Sequence, residues 1–213
     1  MNKYLFVFLL TLCFIKSYSY SENYIFPAKN ISEIDIIINN GKLNVKSADV
    51  REIRIDITPD KSPSTDRRIH VTGGKELNIY LLDQEITENT IVNIIVPKTT
   101  DLEINSTCAH VTVNNLSGFL SIDTAAGDVA VNNFNGKVEI ATIDAKVDIS
   151  GIFKCLDIES SRATVNVTIN KIPSFYTYGI HGSGKVTFKL GKDVKKDSLV
   201  LDSHDFNGTL EIK

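Results

Sequence analysis

From Leu102 onward, apolar residues return to the same columns every 18 residues. Ile104, Ile122, Ile140 and Ile158 share one column, and Val111, Val129, Val147 and Val165 a second. Val113, Val131, Ile149 and Val167 form a third, and Leu116, Phe134 and Ile152 a fourth. Within each block, polarity alternates with period two, the mark of a half-buried strand. Two short strands per block are separated by turns such as Ala125-Ala126-Gly127-Asp128 and Asn132-Asn133. One block cannot bury its own apolar face, but copies stacked in parallel about 4.8 Å apart can. The pattern therefore predicts an all-β protein, a parallel β-solenoid (β-helix) of ~18-residue coils. Identical side chains would form ladders, with Asn114 over Asn132 and Asn115 over Asn133 bonding through their amides. The aliphatic spacing does not fit a hexapeptide helix, which needs such a residue at every sixth position.

The flanks are less regular. Ile34, Ile36 and Ile38 alternate up to the tight-turn signal Asn39-Asn40-Gly41, and Leu43 and Val45 resume the alternation. Ile53 follows Ile34 by 19 residues, which suggests that a looser form of the repeat starts here. Residues 58–68, with Pro59 and Pro63, read as a loop. Strands are expected around Ile69–Val71, Leu77–Leu81 and Ile91–Val96, the last ended by Pro97. After Ile169, Phe175, Thr177 and Gly179 read as a first strand, with Val186 and Phe188 as its second. Leu199, Leu201 and Ser203 repeat this 24 residues later, followed by Leu210 and Ile212. Both late coils carry longer turns, at residues 180–184 and 204–208, as terminal repeats do.

Composition agrees with strands: Ile and Val dominate, and there is no Trp. The first residues add a targeting signal. Lys3 precedes an apolar run from Tyr4 to Ile15, and Ser17, Ser19 and Ser21 follow. Residues 1–21 are expected to be a signal peptide, and residues 22–213 one domain whose most regular repeats span 102–173. An uncleaved anchor is the alternative. Leu12 before Cys13 does not suit a lipobox. Loss of Lys3 and Lys16 would leave 21 basic against 26 acidic residues, a net charge of −5 (21 − 26). That balance argues against nucleic acid or anionic membrane surfaces as partners, and no span is expected after cleavage. Cys108 and Cys155 lie about two coils apart, beyond the roughly 7 Å that a disulfide allows, and are expected as free thiols.

No nucleophile–base pair, metal-ligand spacing or phosphate loop is evident, so no cofactor, metal or catalytic residue is assigned. Gly182-Ser183-Gly184-Lys185 lacks the rest of a phosphate-loop pattern and reads as a turn. His181 and His204 fall near one another in adjacent late coils. The repeat also places acids outward in two columns: Glu103, Glu139 and Asp157 in one, Asp123 and Glu159 in the next. Such a stripe is a candidate binding surface, for calcium or another ligand. The plain alternative is a solvated face whose charge discourages edge pairing.

The run Val92-Asn93-Ile94-Ile95-Val96-Pro97 leading to Leu102-Glu103-Ile104, followed by Ala126-Gly127-Asp128-Val129-Ala130-Val131, resembles the bacterial domain of unknown function DUF4097, known as an adhesin domain. The related head domain with a Gly-Ile-Asn motif implies the same β-helical stack. The resemblance covers residues 30–213. Ala109-His110, Ala145-Lys146 and Ala163-Thr164 depart from its Gly-Asp turn. It implies an exported, non-enzymatic, adhesin-like binding or scaffold domain in the periplasm, at the cell surface or outside the cell. The expected partner is a glycan or an envelope protein. The alternatives are a regulatory envelope-stress component acting through a protein, and a polysaccharide-active β-helix enzyme.

Overall fold

A computed structural model describes residues 21–58, 68–72, 74–82 and 86–213. The expected signal peptide (but for Ser21) and the loop after Thr58 lie outside the described residues. Fourteen strands are described: β1 (Glu22–Pro27), β2 (Glu33–Ile38), β3 (Lys42–Ala48), β4 (Glu52–Thr58), β5 (Arg68–Thr72), β6 (Glu76–Leu81) and β7 (Ile91–Pro97), then β8 (Asp101–Ser106), β9 (His110–Asn114), β10 (Ser117–Ala126), β11 (Val129–Asp144), β12 (Lys146–Ile169), β13 (Thr177–Leu190) and β14 (Phe206–Ile212). They form an all-β, curled and mostly parallel sheet.

The regular blocks pair in the register that their columns demand. Leu102, Leu120, Val138 and Leu156 lie on successive neighbouring strands, as do Ile104, Ile122, Ile140 and Ile158. Val111, Val129 and Val147 form the ladder of the second strand. These side chains are fully or almost fully buried and merge into one apolar core. Register is strongly held here, because a slip of one residue would turn every aliphatic side chain to solvent. The Asn ladders are present: Asn132 Nδ2 donates to Asn114 Oδ1 at 3.1 Å, and Asn133 Nδ2 to Asn115 Oδ1 at 2.9 Å. Asn115 and Asn133 also adopt positive φ (60° and 54°), which asparagine tolerates better than most residues. At Gly136 (φ 150°) an added Cβ would lie 2.1 Å from the Gly118 carbonyl oxygen, so only glycine lets these two backbones stack.

Three expectations are corrected. First, Ile53 does not repeat Ile34. β4 runs antiparallel between β1 and β7, whereas β2 and β3 stack in parallel on β8 and β9 at one constant offset of 68 residues (102 − 34 and 111 − 43). On their other side β2 and β3 are covered by β6 and β7. The first pair of strands thus lies between two later pairs, and β5, β4 and β1 close that end by antiparallel pairing. Second, Phe153, not Ile152, continues the column of Phe134. The two rings stack with centroids 6.3 Å apart, and Ile152 is only half-buried. The ladder shifts register between Val131 and Phe134 and shifts back after Gly136, so the 18-residue period survives a local slip. The third block, Ile149-Ser150-Gly151-Ile152-Phe153, alternates without the left-handed Asn corner and reaches the core one residue later. Third, Phe175, Thr177 and Gly179 face outward. Tyr178 and Ile180 are the core residues, on Leu156 and Ile158. The Tyr178 hydroxyl donates to the Phe153 carbonyl at 3.0 Å, which satisfies the one polar atom of an otherwise buried side chain. The pairing of Val186 with Leu210 and Phe188 with Ile212 follows the expected 24-residue step.

Candidate functional site

Outward positions of the first strands define one face. Its two central columns run Asp35, Glu103, Ser121, Glu139, Asp157, Gly179 and, beside them, Ile37, Asn105, Asp123, Ala141, Glu159, His181. A bridge from Gly179 to Asp202 adds one more acid at the C-terminal end. All five acids singled out from the sequence come together: Glu103, Asp123, Glu139, Asp157 and Glu159 line a single shallow cavity of about 260 Å³. Ser121 and Ala141, which interrupt the acidic columns, are the small residues that leave room for it.

Charge is only partly compensated there. Lys137 Nζ sits 2.6 Å from Glu139 Oε1, and this contact raises the lysine pKa. Asn105 Nδ2 donates to Glu103 Oε1 at 3.3 Å, and His181 Nε2 lies 3.4 Å from Asp157 Oδ1. Asp123 and Glu159 make no hydrogen bond or ion pair among the described residues. Like charges opposite one another weaken a sheet, and Glu139 lies directly opposite Asp157. The strain extends toward the N-terminal end, where Glu33 lies between Glu76 and Asp101. Burial, and then Glu76, Glu103, Asp101 and Asp35, raise the carboxyl pKa of Glu33, while burial, and then Glu103 and Glu76, raise that of Asp35.

His181 and His204 each meet an aspartate, Asp157 at 3.4 Å and Asp202 at 2.9 Å. Among the described residues no group of three or more His, Cys, Asp or Glu is arranged to hold a metal ion. Among the described residues the two thiols are free, Cys108 exposed and Cys155 half-buried, with burial raising the pKa of the latter. No described helix is long and apolar enough to cross a membrane.

A second concavity was missed in the sequence because it depends on the outward turn of Phe175. This larger cavity of about 790 Å³ is lined by Lys154, Phe175, Tyr176, Tyr178, Val200 and Asp202, with Ser174 and Thr177 at its margin. Phe175 and Val200 are 91% and 70% exposed. The available signal was the pair Tyr178–Ile180, which matches Leu156–Ile158 as an apolar pair at alternate positions.

The fold and site thus define an all-β chain with a curled, mostly parallel sheet and an acidic outer face. No family model and no curated protein matches this sequence. Similar solved structures include a "putative cell adhesion protein" from Clostridium sporogenes, 13% identical, covering 91% of this chain and 99% of that one at a TM-score of 0.38. A "putative adhesin" from Bacteroides fragilis is 15% identical over 91% and 97% of the two chains at 0.40. A "putative lipid binding protein" from Parabacteroides distasonis is 15% identical over 91% and 96% at 0.36. Similarity at this level assigns neither a family nor a ligand to the present chain.

Proposed function

We propose that this chain is an exported, non-enzymatic binding domain, a parallel β-solenoid of the DUF4097 type that holds a partner against its acidic outer face. The partner is a glycan or an envelope protein of the cell that makes it. Residues 1–21 serve as the export signal, and residues 22–213 act as one domain. The observation that carries this reading is the convergence of Glu103, Asp123, Glu139, Asp157 and Glu159 on one groove with fewer cations than carboxylates. A stack selected for stability alone has no need of this arrangement, because opposed carboxylates weaken the ladders beneath them. Carboxylates aligned at strand spacing accept hydrogen bonds from successive hydroxyls of a sugar chain, or from ammonium and guanidinium groups of a protein. A repeated surface suits extended, multivalent contact.

The test compares wild type with the double variant Glu139→Gln/Asp157→Asn on a glycan array and in pull-downs from an envelope fraction. Loss of a wild-type partner in the double variant, with unfolding temperature preserved, is the expected result. A partner retained undiminished by the double variant would refute the acidic face as the binding surface. Cleavage of a polysaccharide, abolished by the same substitutions, would refute the non-enzymatic reading.

A further inference from the structure

We propose that the cavity around Phe175 is a sugar-binding subsite, in which the exposed phenyl ring stacks against the apolar face of a neutral pyranose. The proposal rests on the glycan reading of the acidic face and extends it. The two concavities neighbour one another along one column of the sheet. Asp157 lines the acidic groove, Asp202 lines the aromatic cavity, and Gly179 lies between them in the same column. Gly179 itself carries no side chain, and the His181–Asp157 pair sits over it: a Cβ there would come within 3.0 Å of His181 Nε2 and 3.1 Å of Asp157 Oδ1.

The walls of the cavity distinguish a sugar from other occupants. Tyr176 and Tyr178 pack with ring centroids 4.6 Å apart, and both hydroxyls are already used inside the fold. Tyr176 donates to the Ser198 carbonyl and accepts from the Val200 amide at 3.0 Å, while Tyr178 donates to Phe153. The aromatic part of the wall therefore offers ring surface rather than hydroxyls. Polar groups sit at the rim. Lys154 is exposed and makes no hydrogen bond or ion pair among the described residues. Asp202 spends Oδ1 on His204, leaving its other oxygen as an acceptor. Ser174 and Thr177 are exposed and add hydroxyls.

A volume of about 790 Å³ lies within the usual range of ligand sites, about 300–1,000 Å³. The apolar surface is open on one side, as the 91% exposure of Phe175 shows. An acyl chain laid there would keep much of its length in water and forgo most of the burial that drives its binding. A pyranose has one C–H face to cover and hydroxyl edges that gain from a rim carrying both a donor (Lys154) and an acceptor (Asp202). An acidic sugar is disfavoured by the carboxylates of the adjoining groove.

The test uses the full chain with cellotetraose, chitotetraose, maltotetraose and mannotetraose as separate probes, and laurate as the apolar control. Binding is read by calorimetry and by shifts of the Phe175 ring resonances. At least one tetrasaccharide should bind, with Phe175→Ala weakening it about tenfold, as loss of one stacked ring implies. Phe175→Tyr should keep affinity within about twofold, because the ring remains. Phe175 is exposed, so both variants should fold as wild type does. The inference is overturned if no tetrasaccharide binds, if one binds equally well to Phe175→Ala, or if laurate alone occupies the cavity. Capture of an envelope protein that depends on Glu139 and Asp157, without glycan binding, overturns the sugar subsite and leaves the acidic face standing. Sugar binding that depends on Phe175 but not on Glu139 and Asp157 supports the subsite and removes the acidic face.

Discussion

Replacing Phe153 by alanine should destabilise the chain far more than replacing its neighbour Ile152, although the period alone puts Ile152 in the core column. Phe153 is fully buried and stacks on Phe134, whereas Ile152 stands half-exposed on the other side of the strand. A buried Phe→Ala change removes the ring's transfer free energy and leaves a cavity, together about 3–5 kcal/mol. Ile152→Ala removes partly hydrated methyl and methylene groups and should cost about 1 kcal/mol. In a chain of this size each kcal/mol moves the melting temperature by about 2–4 °C. The expected drops are therefore about 6–20 °C for Phe153→Ala and about 2–4 °C for Ile152→Ala. Thermal melts followed by far-UV circular dichroism give both drops, urea unfolding gives the free energies behind them, and unchanged urea slopes confirm that stability rather than compactness has moved. Equal losses, or a larger loss at Ile152, would refute the register shift between Val131 and Phe134 and restore an unbroken 18-residue spacing.

Gly136→Ala should destabilise by about 1–3 kcal/mol or more, because the new methyl meets the Gly118 carbonyl oxygen at 2.1 Å; a thermal melt within error of wild type would contradict the close backbone stacking. Asn133→Ala loses the amide bond to Asn115 and strains a residue at φ 54°, for about 1–2 kcal/mol, whereas Asn133→Gly keeps the backbone relaxed and should cost less; the reverse order would refute the left-handed corner. Mild acid should relieve the repulsion at Glu33 and Asp35. Their folded pKa values are raised above the ordinary 4.5 and 3.8, so the native state takes up these protons first. Stability from these two groups is greatest below the ordinary values and is lost as pH rises through the raised ones. The melting temperature of Glu33→Gln/Asp35→Asn minus that of wild type should therefore grow between about pH 4 and neutrality, and a flat difference would count against the like-charge cluster.

The strand class, the inward columns and the grouping of the acids were legible in the sequence, for one physical reason. Alternation with period two sets which face a side chain takes, and a block length without insertions sets which residue lies beneath it. The carboxylates at 103, 123, 139, 157 and 159 follow from the same arithmetic as the isoleucines, so their meeting in one groove needed no further information. Tertiary structure decided what that arithmetic does not carry. Spacing is blind to strand direction, so β4 with its perfect alternation was indistinguishable from a parallel repeat until it paired antiparallel with β7. Spacing is equally blind to a residue gained and then lost, which moved Phe153 beneath Phe134 while the total stayed at 18. After Ile169 the chain crosses an irregular corner, and two opposite parities each offered an aromatic residue for the core. Tyr178 goes inside because its hydroxyl reaches the Phe153 carbonyl. Phe175 is thereby left in solvent, which creates the cavity beside the acidic groove.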